Sequence, residues 1–123
     1  MGEQGQMAID LSGLRDLAGY IGSCVVDSDT GMVLALDSHG RLDLELAAAG
    51  NTEVVRSKRR TIQTLNMKDE IEDILISLKN QYHIIRPMRL NDRIFIYVAL
   101  DRKIANLALA RMIIQRVEES IRL

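Results

Sequence analysis

Tryptophan is absent from this chain, and aromatic residues of all kinds make up 3% of its 123 residues. Stacking on single-stranded nucleic acid needs aromatic platforms, so that role has little support. The single cysteine, Cys24, excludes an intrachain disulfide and any multi-cysteine metal site. Charge of one sign is also lacking. With a formal net charge of −1, nothing global draws the chain toward nucleic acid or an anionic membrane. No apolar run approaches the ~20 residues that span a bilayer. The opening Met1-Gly2-Glu3-Gln4-Gly5-Gln6 lacks the layout of a signal peptide, and Gln6 stands where a myristoylation signal wants Ser or Thr. Together with the lone thiol, these absences lead to the expectation of a cytoplasmic protein. Apolar material is not lacking. Hydrophobic residues are 47% of the chain, and a domain of this size buries roughly two-thirds of its unfolded surface without staples.

Residues 1–7 read as a flexible lead-in, and residues 8–123 as a single domain. Ile9, Leu11, Leu14, Leu17 and Ala18 form a short helical pattern that ends at Gly19. Tyr20 to Val26 and Met32 to Leu36 read as strands joined by Asp27-Ser28-Asp29-Thr30-Gly31, which has the residues of a tight turn. A helix follows from after Gly40 toward Leu65. Leu44, Ala47, Val54, Val55, Ile62 and Leu65 fall on one side of it, and Leu42, Leu46 and Ala49 on the opposite side. A second apolar face, confined to the first two turns, needs a partner of its own. Gly50 lies mid-helix at a cost of about 1 kcal/mol relative to alanine, leaving room for a kink there.

Residues 70–100 read as three strands. The last, Ile94 to Leu100, is uninterruptedly apolar and suits a central position covered on both faces. Pro87, the one proline, argues for an edge or a bulge in the strand before it. Asp101 is positioned to cap a final helix with the stripe Ile104, Leu107, Ala110, Ile114, Val117, Ile121. Arg111, Gln115, Glu118, Glu119 and Arg122 lie on its other face.

Several motifs invite chemistry. Asp29-Thr30-Gly31 has the form of a dimeric aspartic protease signature, but Ser28 precedes it where apolar residues are usual, so a hairpin turn is the better reading. The same tract fails as a calcium loop, with Met32 and Ser38 where glycine and glutamate are required. Cys24 in a strand reads as a core thiol, since neither His39 nor His83 is near it in sequence to serve as a base. Two histidines without a spacing pattern make no convincing metal site. The basic run Arg56-Ser57-Lys58-Arg59-Arg60 is either a solvated face or a docking patch, with Arg56, Arg59 and Arg60 as candidate partner contacts. No glycine loop ends in Gly-Lys-Ser/Thr, so the chain is not a nucleotide hydrolase of that class.

The hairpin Gly22 to Ala35, the stretches Ile74-Leu75-Ile76 and Gln81 to Met88, and the ending Ile94 to Asp101 followed by Ala105-Asn106-Leu107-Ala108-Leu109-Ala110-Arg111 resemble roadblock-type (dynein light chain) domains. The likeness spans roughly residues 8–121 in the right order. It implies an α+β, profilin-like or longin-like fold of order αββαβββα, with helices on both faces of a five-stranded antiparallel sheet. It also implies a homodimer in which third strands pair and long helices pack together. That would place Leu42, Leu46, Ala49, Asp73, Leu75 and Ser77 in the dimer interface. Bacterial members commonly accompany and regulate a Ras-like GTPase, while other relatives are light chains or adaptor subunits. The expectation is therefore a non-catalytic binding module without cofactor or metal. Its partner would be itself and a small GTPase or, alternatively, a larger assembly.

Overall fold

Ile94–Asp101 is the strand on which the sheet is built. The structure, a computed structural model, describes residues 8–123, so the expectation for residues 1–7 lies outside it. In chain order the elements are β1 (Tyr20–Asp27), β2 (Val33–Ser38), α1 (Leu44–Thr64), β3 (Ile74–Ser77), β4 (Gln81–Pro87), β5 (Ile94–Asp101) and α2 (Leu107–Ser120). The sheet order is β2-β1-β5-β4-β3, and every neighbouring pair is antiparallel. Central β5 is buried from Ile94 to Leu100, as its uninterrupted apolar run requires.

Alternation along the strands divides the core in two. Val25, Ile84, Ile96, Val98 and Leu100 face α2 and the N-terminal segment, packing on Leu14, Ala110, Ile114 and Ile121. Cys24, Val26, Ile85, Phe95, Tyr97 and Ala99 face α1, packing on Leu44, Ala48 and Val55. Helical elements thus cover both faces. The α+β layout that the resemblance implied, a five-stranded antiparallel sheet covered on both faces, is the one present.

Local details differ from the sequence reading, each for an identifiable reason. The first helical pattern closes only one 3-10 turn, Ser12–Leu14. Leu11, Leu14 and Leu17 are buried at a spacing of three, and the amides of Leu14, Leu17 and Tyr20 each bond the carbonyl three residues back. Gly19 then turns into β1 with φ +80°, where a Cβ would stand 2.8 Å from the Asp101 carbonyl. Helix α1 passes through Gly50 without a break, capped by Asp43, whose Oδ1 accepts the Leu46 amide at 3.1 Å. Its buried face is Leu44, Ala48, Asn51, Thr52 and Val55. Asn51 and Thr52 fit there because each donates to the carbonyl four residues earlier. Val54 and Leu65, expected on that face, are exposed, and Leu42 precedes the helix.

Asp101 does not cap α2. Its amide still belongs to the β5 ladder, bonded to the Gly19 carbonyl, and its own carbonyl accepts from Ile104 and Ala105 in a turn. Asn106 is the cap, with Oδ1 accepting the Leu109 amide at 3.1 Å. Starting there leaves Ile104 outside the stripe and 62% exposed. Glu118, assigned to the outer face, is buried, because Arg86 reaches it from β4 with Nε 2.9 Å from Oε1. The strand signal in Pro87 resolves simply. The Met88 amide bonds Ile94, so by alternation the missing Pro87 donor faces away from β5, where β3 has already ended at the Ile74–Ile85 pair.

Candidate protein-interaction surfaces

Strand β3 ends the sheet, so its outer row of backbone groups has no strand partner among the described residues. Such an edge is a template for pairing with another chain. Ile74, Leu75 and Ile76 on it are only half-buried. Ile74 and Ile76 lean toward the α1 side, while Leu75 packs into the α2-side core. Asp73 is held to α2 by a bidentate pair with Arg111 at 3.0 and 3.1 Å, and Ser77 is exposed. The Asp73, Leu75 and Ser77 series therefore lies on the sheet face that α2 covers. The apolar residues on the other side, Ile74 and Ile76, were not among the interface residues that the resemblance implied.

Helix α1 packs mainly on β1 and β2. The α1 side of the sheet toward β3 is correspondingly less covered, and His83 sits there half-buried. Its Nε2 lies 2.7 Å from Gln81 Oε1 and its Nδ1 3.1 Å from the Tyr97 hydroxyl. Burial holds the His83 pKa below its usual value and pushes the Tyr97 hydroxyl up to about 12. On the solvent side of α1, Leu46 is 70% exposed and Ala49 is exposed beside it. Leu42, the third member of the predicted second face, instead packs partly into the core under the helix.

The basic run on α1 divides. Arg56 donates from Nε to the Ser28 carbonyl at 2.7 Å and from Nη2 to the Asp29 carbonyl, and Arg59 donates from Nη1 to Ser28 Oγ at 3.0 Å. Arg56 is thereby committed to the β1–β2 turn, and Arg59 is tied to it through Nη1 alone. Arg93 adds an ion pair with Asp27 at 3.3 Å, and buried Ser28 bonds the Arg93 carbonyl through both its amide and its hydroxyl. Lys58 and Arg60 remain exposed. The turn itself is the one expected, with Gly31 at φ +78° and the Asp29 amide bonded to Asp27 Oδ1 at 2.9 Å.

Cys24 is buried, and that burial pushes its thiol up to about 12. The described residues contain no group of three His, Cys, Asp or Glu side chains arranged to hold a metal ion. No helix among them is long and apolar enough to cross a membrane.

A five-stranded antiparallel sheet with one long helix on one face and a terminal helix on the other defines a recognisable class of α+β fold. No protein-family model matches the chain, and no curated protein matches it in sequence. Solved structures do match it. A roadblock/LC7 domain from Streptomyces avermitilis superposes with a TM-score of 0.74 at 14% identity, over 89% of this chain and 88% of that one. MglB from Myxococcus xanthus gives 0.73 at 14% identity, over 86% and 83%. MglC from the same organism gives 0.55 at 16% identity, over 88% of each. The fold of this chain is that of a roadblock-type domain.

Proposed function

We propose that residues 8–123 form a single homodimeric, non-catalytic binding domain that regulates or scaffolds a small Ras-like GTPase in the cytoplasm. The observation that carries the dimer is the unpaired outer edge of β3 lying in a sheet whose long helix exposes Leu46 and Ala49. Pairing β3 with its symmetry mate removes the open edge, and a two-fold axis presents the same apolar face of α1 from each copy. Ile74 and Ile76 join the predicted interface residues Leu46, Ala49, Asp73, Leu75 and Ser77. Leu42 contributes by supporting the start of α1.

The GTPase partner is supported by the roadblock-type fold and by the family resemblance in the last strand and helix. In this reading the basic cluster serves two purposes. Arg56 and Arg59 fix the shape of the β1–β2 turn, while Arg60 is available to an acidic partner. The test is binding between the purified protein and each small GTPase of the source organism, loaded with GDP or with a GTP analogue. Nucleotide-dependent association, weakened by Arg60→Glu with the dimer intact, is expected. Absence of association in both nucleotide states would replace this reading with that of an adaptor subunit in a larger assembly.

A further inference from the structure

At the open end of the sheet, past the last β3–β4 pair, the chain encloses a groove of about 780 Å³. It lies between the residues that follow α1 and the β4–β5 turn. Three arginines border it: Arg59 from α1, Arg86 from β4 and Arg89 from the turn. Two of them hold donors that the described residues leave unused. Arg86 has a side chain only 9% exposed, yet its recorded bond is the single one from Nε to Glu118. Its two terminal amino groups make no hydrogen bond among the described residues and, unlike Arg59 Nη2, are not sealed from solvent. Arg59 gives Nη1 to Ser28, while its Nη2 is buried without any partner. A buried guanidinium donor such as Arg59 Nη2 is normally satisfied, and an anion is the group best suited to it together with the unpaired Arg86 donors that border the same groove.

Asp69, Glu70, Glu72 and Asp92 border the same groove, and all four are exposed. Their charges are screened by salt far more than the buried guanidiniums are. They oppose the approach of a polyanion and tolerate a single small anionic group placed deeply. We propose that this groove is an oxyanion subsite, in which Arg86 and Arg59, assisted by Arg89, receive one carboxylate or one phosphate. The inference stands apart from the GTPase reading and draws on no residue of the β3 edge.

The experiment is a heteronuclear NMR titration of the full chain with inorganic phosphate and, separately, with acetate, against sodium chloride at matched ionic strength. Saturable shifts at Arg59, Arg86 and Arg89, in excess of the chloride control, are expected. Arg59→Gln should weaken the binding by about tenfold, the order of one charged hydrogen bond. A larger response to phosphate assigns a phosphate group, and a larger response to acetate assigns a carboxylate such as a partner's acidic side chain. Shifts no greater than those of chloride, or shifts centred on Lys58 and Arg60, would overturn the proposal. So would binding unchanged by the substitution. Should Arg59→Gln loosen the turn, Arg89→Gln serves as the second variant, because no hydrogen bond of its side chain is recorded and only its backbone amide contacts Glu118.

Discussion

Cys24 has strand neighbours on both sides, Leu36 on β2 and Tyr97 on β5, and Val26 and Phe95 share its core. A thiol so placed neither ionises readily nor meets an attacking reagent. Alkylation of the folded protein should leave Cys24 unmodified, with full labelling after denaturation, as mass spectrometry can record; rapid native labelling would contradict this. His83 makes a different prediction. Because burial lowers its folded pKa beneath the ordinary 6.5, the unfolded chain takes up the proton first. Stability is therefore fully present above that value and is lost as pH falls below it. Thermal midpoints should drop as pH falls below the ordinary 6.5, and His83→Gln should flatten that drop. A drop of equal size in the variant would assign it to other groups. Residues whose role depends on local chemistry, such as Asp27, Gly31 and Cys24, could be read from the sequence. Glu118 could not, because its partner Arg86 is brought to it only by the packing of α2 on β4.

At the scale of elements, the same pair makes the sharpest energetic prediction. Glu118 accepts Arg86 Nε through one oxygen and the Arg89 amide through the other, at 2.9 and 3.2 Å, so it joins α2 to the end of β4. Removing one member of a buried pair leaves an uncompensated charge, and Glu118→Ala should cost about 3–5 kcal/mol by denaturant unfolding. Joint replacement of Arg86 and Glu118 by Met and Leu should recover much of that loss, and a double variant as unstable as the single one would contradict the account. The strands and the two helices were legible because their periods are long and regular, and β5 most of all. What escaped were boundaries decided by competition. Asp101 and Asn106 both offer a cap, and only the Gly19–Asp101 ladder bond shows that the chain has not yet left the sheet at the first of them. Similarly, Leu11, Leu14 and Leu17 suit an α-helix or a series of tighter turns, and Gly13 and Gly19 leave too short a stretch for the former.

For the whole molecule, the architecture followed from the family resemblance that the order of its elements accompanied, whereas only part of the surface proposed for interaction stood out in the sequence. Leu46 and Ala49 stood out as apolar residues opposite the main face of α1, and both are exposed. Leu42 shared their pattern but lies ahead of the helix, where the wheel no longer applies. Ile74 and Ile76 gain significance only once β3 is known to be one of the two end strands, β2 being the other. Exposed Glu119 on α2 is the suitable control position, since Glu118 is buried. The central claim is that the open β3 edge and the exposed face of α1 are closed by a second copy. Sedimentation equilibrium at micromolar concentration tests it most directly. The account predicts twice the 13.8 kDa chain mass, reduced toward a single chain by Leu46→Asp and unaffected by Glu119→Lys. A wild-type protein that sediments as one 13.8 kDa chain would contradict it.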